Sequence, residues 1–352
     1  MNESYRQEIP DRLREQCLRY PAMQQQDAVK FIFQAMLGVG HLLADRDTVT
    51  KHLVRETDTL SADPDEPLLE PLSPAWCRLN LRRAMAEQLS SQIIAGLMMV
   101  SVFAPDFSRQ DVYDLCVSLA QTGEMQLTDP RILEQITDPN WLPSHSPEYH
   151  EAYHPAYRVV SAGWVPYLEA VCRISRKLQE KRRIQVTIDG PCASGKTTLA
   201  RRLAEVFQAA MVHTDDYVIP HAKKTEERLA VPGGNCDADR IVREILVPWS
   251  NEDPVRYRRY DCKADIFLPE EVLPESEILI LEGSYSNLPG IREKADVRIF
   301  LDVSREVREM RLRKRESPES LKRFYERWIP LEEAYFAAFG LPDPDCILIT
   351  GQ

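Results

Sequence analysis

The feature that most limits what this chain can fold into is an eight-residue run, Gly190-Pro-Cys-Ala-Ser-Gly195-Lys196-Thr197, which fits G-x-x-x-x-G-K-[ST]. It lies between IQVTID, a short β-branched run, and TTLARRLAEVF, an amphipathic helical pattern. A strand, such a loop and a helix in that order make a phosphate cradle. The glycines let the backbone wrap, and successive N–H groups at the helix N-terminus aim partial positive charge inward. Lys196 is placed to reach the β- and γ-phosphates of a nucleotide and the Thr197 hydroxyl to ligate Mg²⁺. Gly190, Ala193, Ser194, Gly195, Lys196, Thr197 and Thr198 are the expected phosphate-binding residues.

The pattern around the loop fixes a fold class. Further short apolar runs at Ala210–His213, Ile278–Leu281, Val297–Leu301 and Cys346–Thr350 alternate with helical segments at 196–208, 239–250, 304–316 and 319–339. Strands alternating with helices predict βαβ units and a parallel sheet. The first half reads as helical instead. Residues 27–44 have apolar helical spacing, weakened near the end by Gly38 and Gly40. Ala62–Pro74 reads as a long surface loop. Ser73-Pro74, Ser108-x-x-Asp111 and Asp129-Pro130 are expected helix starts, and a last helix runs from about Pro166 to Arg182. The charged run RKLQEKRR divides a helical domain, 1–178, from an α/β P-loop domain, 179–352, with a parallel sheet flanked by helices. A length of 352 residues suits two domains.

Composition narrows the partners. A net charge of −11 disfavours a nucleic-acid backbone. The longest apolar stretch, Ile93–Ala104, is well short of the ~20 residues of a membrane span, and the first residues lack an apolar signal core. Eight scattered cysteines without metal spacing suit reduced thiols and a cytoplasmic protein. A small-molecule substrate is the expected partner; self-association into a homo-oligomer is left open.

Other chemistry-bearing groups follow the loop. Asp215 and Asp216 of His213-Thr-Asp-Asp-Tyr217 come at the C-terminal end of an expected parallel strand, where ligands bind, and a carboxylate there can take a proton from an attacking hydroxyl. A solvated loop is the plainer alternative. Arg308, Arg311 and Arg315 fall on one helix face, suited to clamping a transferring phosphoryl group. A salt-bridged surface helix is the alternative, since Glu306, Glu309 and Glu316 are interleaved.

Residues 184–352 resemble the uridine kinase-like P-loop kinases. The matching segments are GPCASGKTT, HTDDY, Asn235-Cys-Asp237, Arg259-Tyr260-Asp261, Ile280-Leu-Glu282-Gly283, the arginine helix and RWIPLEEAYF. The resemblance implies transfer of the γ-phosphoryl of ATP, with Mg²⁺, to a hydroxyl of a nucleoside-like or other sugar or polyhydroxy metabolite. It implies Asp215 as general base and Glu282 near the metal with Thr197. Asp237 would grip sugar hydroxyls, and Tyr217, Tyr260 and Asp261 would line the substrate side. Arg308, Arg311 and Arg315 match lid arginines. Where pyrimidine nucleoside kinases of this group carry a His and an Arg after the YD motif, this chain has Asp265 and Phe267. A buried carboxylate at 265 would suit a donor-rich or cationic group, and so an acceptor other than a plain pyrimidine nucleoside.

The first half offers Gly38-Val-Gly40-His41 and EYHEAYHPAYR, residues 148–158. His150 and His154 have the i, i+4 spacing of a helical metal pair, but Pro155 argues for a helix end with ordinary packing. The Tyr/His/Arg mixture also suits a polar ligand. Two further readings of the whole chain stay open: a nucleotide-gated regulator signalling to the helical half, and a bifunctional enzyme with a second activity there.

Overall fold

The computed structural model describes residues 3–38, 45–101 and 107–351. They form two compact units that divide between Val165 and Pro166. Gly40, His41 and the end of the Ile93–Ala104 stretch lie outside the described residues.

The first unit is mostly helical. Its central helix, Gln25–Leu37, starts with a capping box between Gln24 and Asp27 and buries Phe31, Ile32, Phe33 and Met36. These side chains share a core with Trp76, Val112, Cys116 and Ile136. The helix stops at Gly38, whose φ is +60°. A Cβ there would lie 2.2 Å from the Trp76 ring, so both the conformation and the close approach require glycine. Ser108 with Asp111, and Asp129 with Pro130, cap helices as the sequence predicts.

The unit also holds a three-stranded antiparallel sheet that the sequence did not suggest: β1 (Leu69–Pro71), β2 (Trp76–Asn80) and β3 (Tyr157–Ser161). It corrects two expectations. The end of the expected surface loop is an edge strand, followed by a fully buried Leu72. Ser73-Pro74 starts no helix; it turns β1 into β2, with the Leu72 and Ser73 N–H groups both donating to the Trp76 carbonyl. The reason is long-range. Trp76 pairs with Ser161 and Cys77 with Val160, so the strand's partner is far away in sequence and local signals cannot show it.

In the second unit, β4 (Ile184–Asp189) and β5 (Ala210–His213) come first. Two small antiparallel pairs follow: β6 (Arg256–Tyr257) with β9 (Glu271–Val272), and β7 (Tyr260–Asp261) with β8 (Ile266–Phe267). Then come β10 (Ile278–Glu282), β11 (Val297–Val303) and β12 (Ile347–Gly351). The main sheet is wholly parallel, in the order β12-β11-β4-β10-β5. All six residues of β4 are buried, as a central strand covered on both faces requires. The chain passes from β4 to β5 on one side of the sheet and later to β11 on the other. The C-terminal end of β4 is therefore the switch point where ligands bind.

The helix Leu168–Glu180 packs on β4 and β11, burying Ala170, Val171 and Ile174. The compact units accordingly divide thirteen residues before the boundary drawn from the RKLQEKRR run. That run does end a helix, but the helix serves the sheet that follows it. No helix among the described residues is long and apolar enough to cross a membrane.

Candidate active site

The loop after β4 is built to approach something closely. Gly190 has φ +138°, and a Cβ on it would lie 2.3 Å from the Leu301 carbonyl oxygen on β11. Ala193 and Gly195 also take positive φ before the helix Lys196–Phe207 begins, the alternation from which anion-binding backbone nests are built. The Lys196 ammonium is folded over the loop, donating to the carbonyls of Gly190 (2.7 Å) and Pro191 (3.0 Å). The Ser194 hydroxyl is buried with no hydrogen-bond partner among the described residues. An orphan hydroxyl beside a folded lysine fits a phosphate oxygen as the missing partner. Thr198 lies exposed on the first turn.

The loop is held from behind by groups that sequence reasoning did not assign. Buried Asp189 accepts from the Gly190 N–H (2.7 Å), the Asn287 N–H (3.0 Å) and the Tyr335 hydroxyl (2.8 Å). Burial raises its carboxyl to about 6 against the pull of those donors and of Lys196. Glu332 accepts from the Cys192 N–H (2.9 Å) and from the Ser284 hydroxyl. Glu332 and Tyr335 are three apart on one helix, within the RWIPLEEAYF segment, so the signal was present though unread.

At the end of β10, Glu282 is 4% exposed and in register with His213 of β5. Its Oε1 accepts from the Thr197 hydroxyl (3.0 Å) and from His213 Nδ1. That bond to Glu282 raises the His213 imidazole against its desolvation. Thr197 and Glu282 supply hard oxygen donors from two sides of one point beside the loop. A hydroxyl and a carboxylate, with phosphate oxygens and water completing the set, is how Mg²⁺ is held at phosphate sites, so the residues fit the metal.

Asp215 opens the turn after β5 and stands exposed at the mouth of the same crevice. Partial desolvation raises its carboxyl; Lys196 opposes this, and the charges of Glu282 and Glu332 reinforce it. The charges of Lys196, Glu282 and Glu332 thus all act on Asp215, the kind of perturbed carboxylate that clusters at functional sites.

No protein-family model matches the chain. A uridine kinase of Ligilactobacillus salivarius (strain UCC118) is 25% identical over 154 residues, covering 40% of this chain and 70% of that protein. Part of this chain is thus similar to a uridine kinase, in keeping with the parallel sheet and phosphate loop of the second unit. Solved structures similar to part of this chain include a possible uridine kinase from Bacillus stearothermophilus and a sugar kinase from Janibacter sp. HTCC2649. The first is 18% identical over 51% of this chain and 99% of that one, with a TM-score of 0.39. The second is 20% identical over 48% and 85%, with a TM-score of 0.27.

The other expected site residues of the P-loop unit divide by placement. Arg311 Nη1 donates to the carbonyls of Ala193 (3.1 Å) and Ser194 (3.2 Å), and Arg308 Nε donates to the Val303 carbonyl (3.1 Å). Both lie near the loop. Arg315 points elsewhere, pairing with Glu316 at 2.7 Å. Tyr217 is fully buried beneath the Arg240 guanidinium, 4.1 Å from its ring. Asp237 caps a short helix, accepting from the Arg240 N–H at 3.2 Å. Asp261 accepts from the N–H groups of Lys263 (2.8 Å) and Ala264 (3.1 Å) and so shapes the β7–β8 turn. Tyr260 donates to Asp265, which also accepts from the His221 N–H at 3.2 Å. Asp265 is 45% exposed at the side chain, so the expectation of a buried carboxylate there is corrected. It sits at φ +57° in an open turn, and the argument it carried against pyrimidine nucleosides lapses.

In the first unit, His150 lies on the helix Pro147–Tyr153 and His154 ends it with φ +42°. Among the described residues no group of three or more His, Cys, Asp or Glu is arranged to hold a metal.

Proposed function

We propose that the kinase domain transfers the γ-phosphoryl of ATP to a hydroxyl of a nucleoside-like or other sugar or polyhydroxy metabolite. The observation that carries this reading is the position of Asp215: a carboxylate with raised proton affinity, at the strand end beside Lys196 and Glu282. A switch ATPase needs no such acceptor base.

In this reading the loop N–H groups, the Ser194 hydroxyl and Lys196 take the nucleotide phosphates, Lys196 leaving the Gly190 and Pro191 carbonyls to do so. Thr197 and Glu282 hold Mg²⁺, which when bound offsets phosphate charge. Asp215 orients the acceptor hydroxyl and removes its proton as the new O–P bond forms and the bond to the departing ADP breaks. Arg308 and Arg311, beside the loop, would meet the equatorial oxygens of the transferring group, Arg311 leaving the Ala193 and Ser194 carbonyls to do so. Asp237 and Tyr260 are the nearest candidates for contacts to the acceptor's remaining hydroxyls.

The test is ADP release from Mg·ATP across a panel of nucleosides, ribosides, vitamins and sugars, wild type beside Asp215→Asn. One acceptor raising turnover by orders of magnitude, with the variant losing it, sustains the reading. Equal slow turnover of both proteins with every acceptor overturns it in favour of a nucleotide-gated regulator.

A further inference from the structure

Arginine is rarely buried, because its charge is expensive to take out of water. Arg240 is 5% exposed, and none of the steps above uses it. It is the third residue of the short helix Ala238–Ile241, which Asp237 caps by accepting from the Arg240 N–H at 3.2 Å. Asp237 donates its own N–H to the Tyr217 carbonyl (2.7 Å), and the Ile219 N–H donates to the Asn235 carbonyl (3.0 Å). The segment that carries Arg240 is therefore laid against the turn that carries Asp215.

The guanidinium reaches three elements. Its Nη2 donates to the Asp216 carbonyl (3.0 Å), in the turn after β5, and to the Arg258 carbonyl (2.8 Å), just before β7. Its Cζ lies 4.1 Å from the centre of the Tyr217 ring and 4.9 Å from that of Phe267 on β8. Phe267 in turn packs on Tyr260 of β7, the ring centroids 5.3 Å apart. The charge is answered by Glu244, one turn on, whose Oε2 is 3.4 Å from Nε. Nη1 has no hydrogen-bond partner among the described residues. Filling the space between two rings needs no guanidinium, since an apolar side chain does so without burying a charge and a spare donor. What only the planar fork supplies is a donor shared by carbonyls of two elements while its faces stack on rings.

Asp215 stands between two fixed points. Before it, the Thr214 hydroxyl donates to the Ser284 carbonyl (2.8 Å), which registers the turn against the strand end that carries Glu282. After it, the Asp216 carbonyl is held by Arg240, which registers the same turn against the β7–β8 pair that carries Tyr260.

We infer that Arg240 is a positioning residue for phosphoryl transfer, setting the Asp215 carboxylate against an acceptor held at the β7–β8 pair. The inference rests on the proposed kinase function. In this reading Arg240 touches neither nucleotide nor acceptor and acts through the peptide that follows Asp215. Without it that peptide is free to turn, and a displacement of about 1 Å at the base lowers the rate by about 10²-fold.

The test compares full-length wild type with Arg240→Ala and Arg240→Lys. In ADP-release assays with the acceptor found by the panel, Arg240→Ala should lower kcat by about 10²-fold and leave KM for ATP within about twofold. Guanidinium chloride at about 20 mM should raise the alanine variant's kcat by about tenfold over sodium chloride at the same concentration, since the free ion can stack on the two rings and donate to the same carbonyls. Arg240→Lys keeps the charge without the fork and should stay about tenfold below wild type. A second readout needs no turnover. Asp216-Tyr217 is the only Asp-Tyr pair in the sequence, so ¹³C-carbonyl aspartate with ¹⁵N-tyrosine labels that one peptide. Its resonance should move in both variants and return toward the wild-type position when guanidinium is added to Arg240→Ala. The lysine variant carries both readouts if the alanine variant does not fold. An unmoved resonance overturns the inference. So does a loss of kcat that guanidinium does not restore, or one that KM for ATP follows, since the arginine would then only support the fold. An active wild type with an unchanged alanine variant removes this inference alone, whereas a wild type that phosphorylates no acceptor removes the kinase reading and the inference with it.

Discussion

At Asp215 a carboxylate must be ionised to accept a proton. Desolvation raises its proton affinity, so the rate of phosphoryl transfer should fall with decreasing pH at a point above the ordinary carboxylate range near 4. A pH–rate profile with its acid limb at or below about 4 would contradict this assignment. Asp215→Asn should lower kcat by about 10²–10⁴-fold while nucleotide binding persists. At Glu282, which the Thr197 hydroxyl and His213 both address, Glu282→Gln should raise the Mg²⁺ concentration for half-maximal rate by about 10–100-fold; an unchanged Mg²⁺ titration removes Glu282 from the metal site. Asp27 has a consequence for stability instead. Its folded value, about 2 against 3.8 for the free group, is depressed. The stabilisation is therefore complete above about pH 4 and is lost as pH falls through about 2, and it amounts to about 2 kcal/mol at neutral pH. Urea unfolding of wild type and Asp27→Asn at pH 7 and pH 3 checks this, the difference between the two proteins shrinking at the lower pH.

Elements were legible where their causes are local. The two central strands, β4 and β10, are buried along their whole length, and they appear in the sequence as β-branched and aliphatic runs, Ile184–Ile188 interrupted by Gln185 and Ile278–Leu281 unbroken. The phosphate loop was legible because its glycines answer to backbone geometry. Gly190→Ala places a Cβ 2.3 Å from a backbone oxygen that has no freedom to retreat. It should abolish binding of ATP analogues in calorimetry and lower the melting temperature of the kinase domain; an alanine variant that binds normally would show the loop to be slack. The sheet of the first unit was not legible, since β2 earns its conformation from β3 across the whole unit. Two-residue strands such as Tyr260–Asp261 fall below any period a pattern can show. The arginine helix was legible as a face but not in its division of labour. Arg308 and Arg311 turn to the loop region and Arg315 to Glu316. Arg311→Ala should therefore cost more kcat than Arg315→Ala, by about tenfold or more for a charge-assisted contact, in steady-state assays of the two variants.

At the scale of the whole molecule, the division between Val165 and Pro166 makes a prediction about fragments. The helix Leu168–Glu180 covers β4 and β11 with Ala170, Val171 and Ile174. A fragment beginning at residue 166 should be soluble, melt cooperatively and bind ATP analogues. One beginning at residue 179 lacks that cover, leaves an apolar sheet face open to water, and should aggregate. Equal behaviour of the two fragments would show the helix to be dispensable. The bonds behind the phosphate loop carry a consequence in time. Cys192 is tied to Glu332, 140 residues later, and Asp189 to Tyr335. A ribosome adding about 5–20 residues per second needs roughly 7–28 s to cover that distance. During those seconds the nascent chain displays its nucleotide motif without the buttress that shapes it, while everything before residue 166 is already free to fold. A chain cut short between residues 197 and 332 would carry the motif without the bonds that hold it from behind.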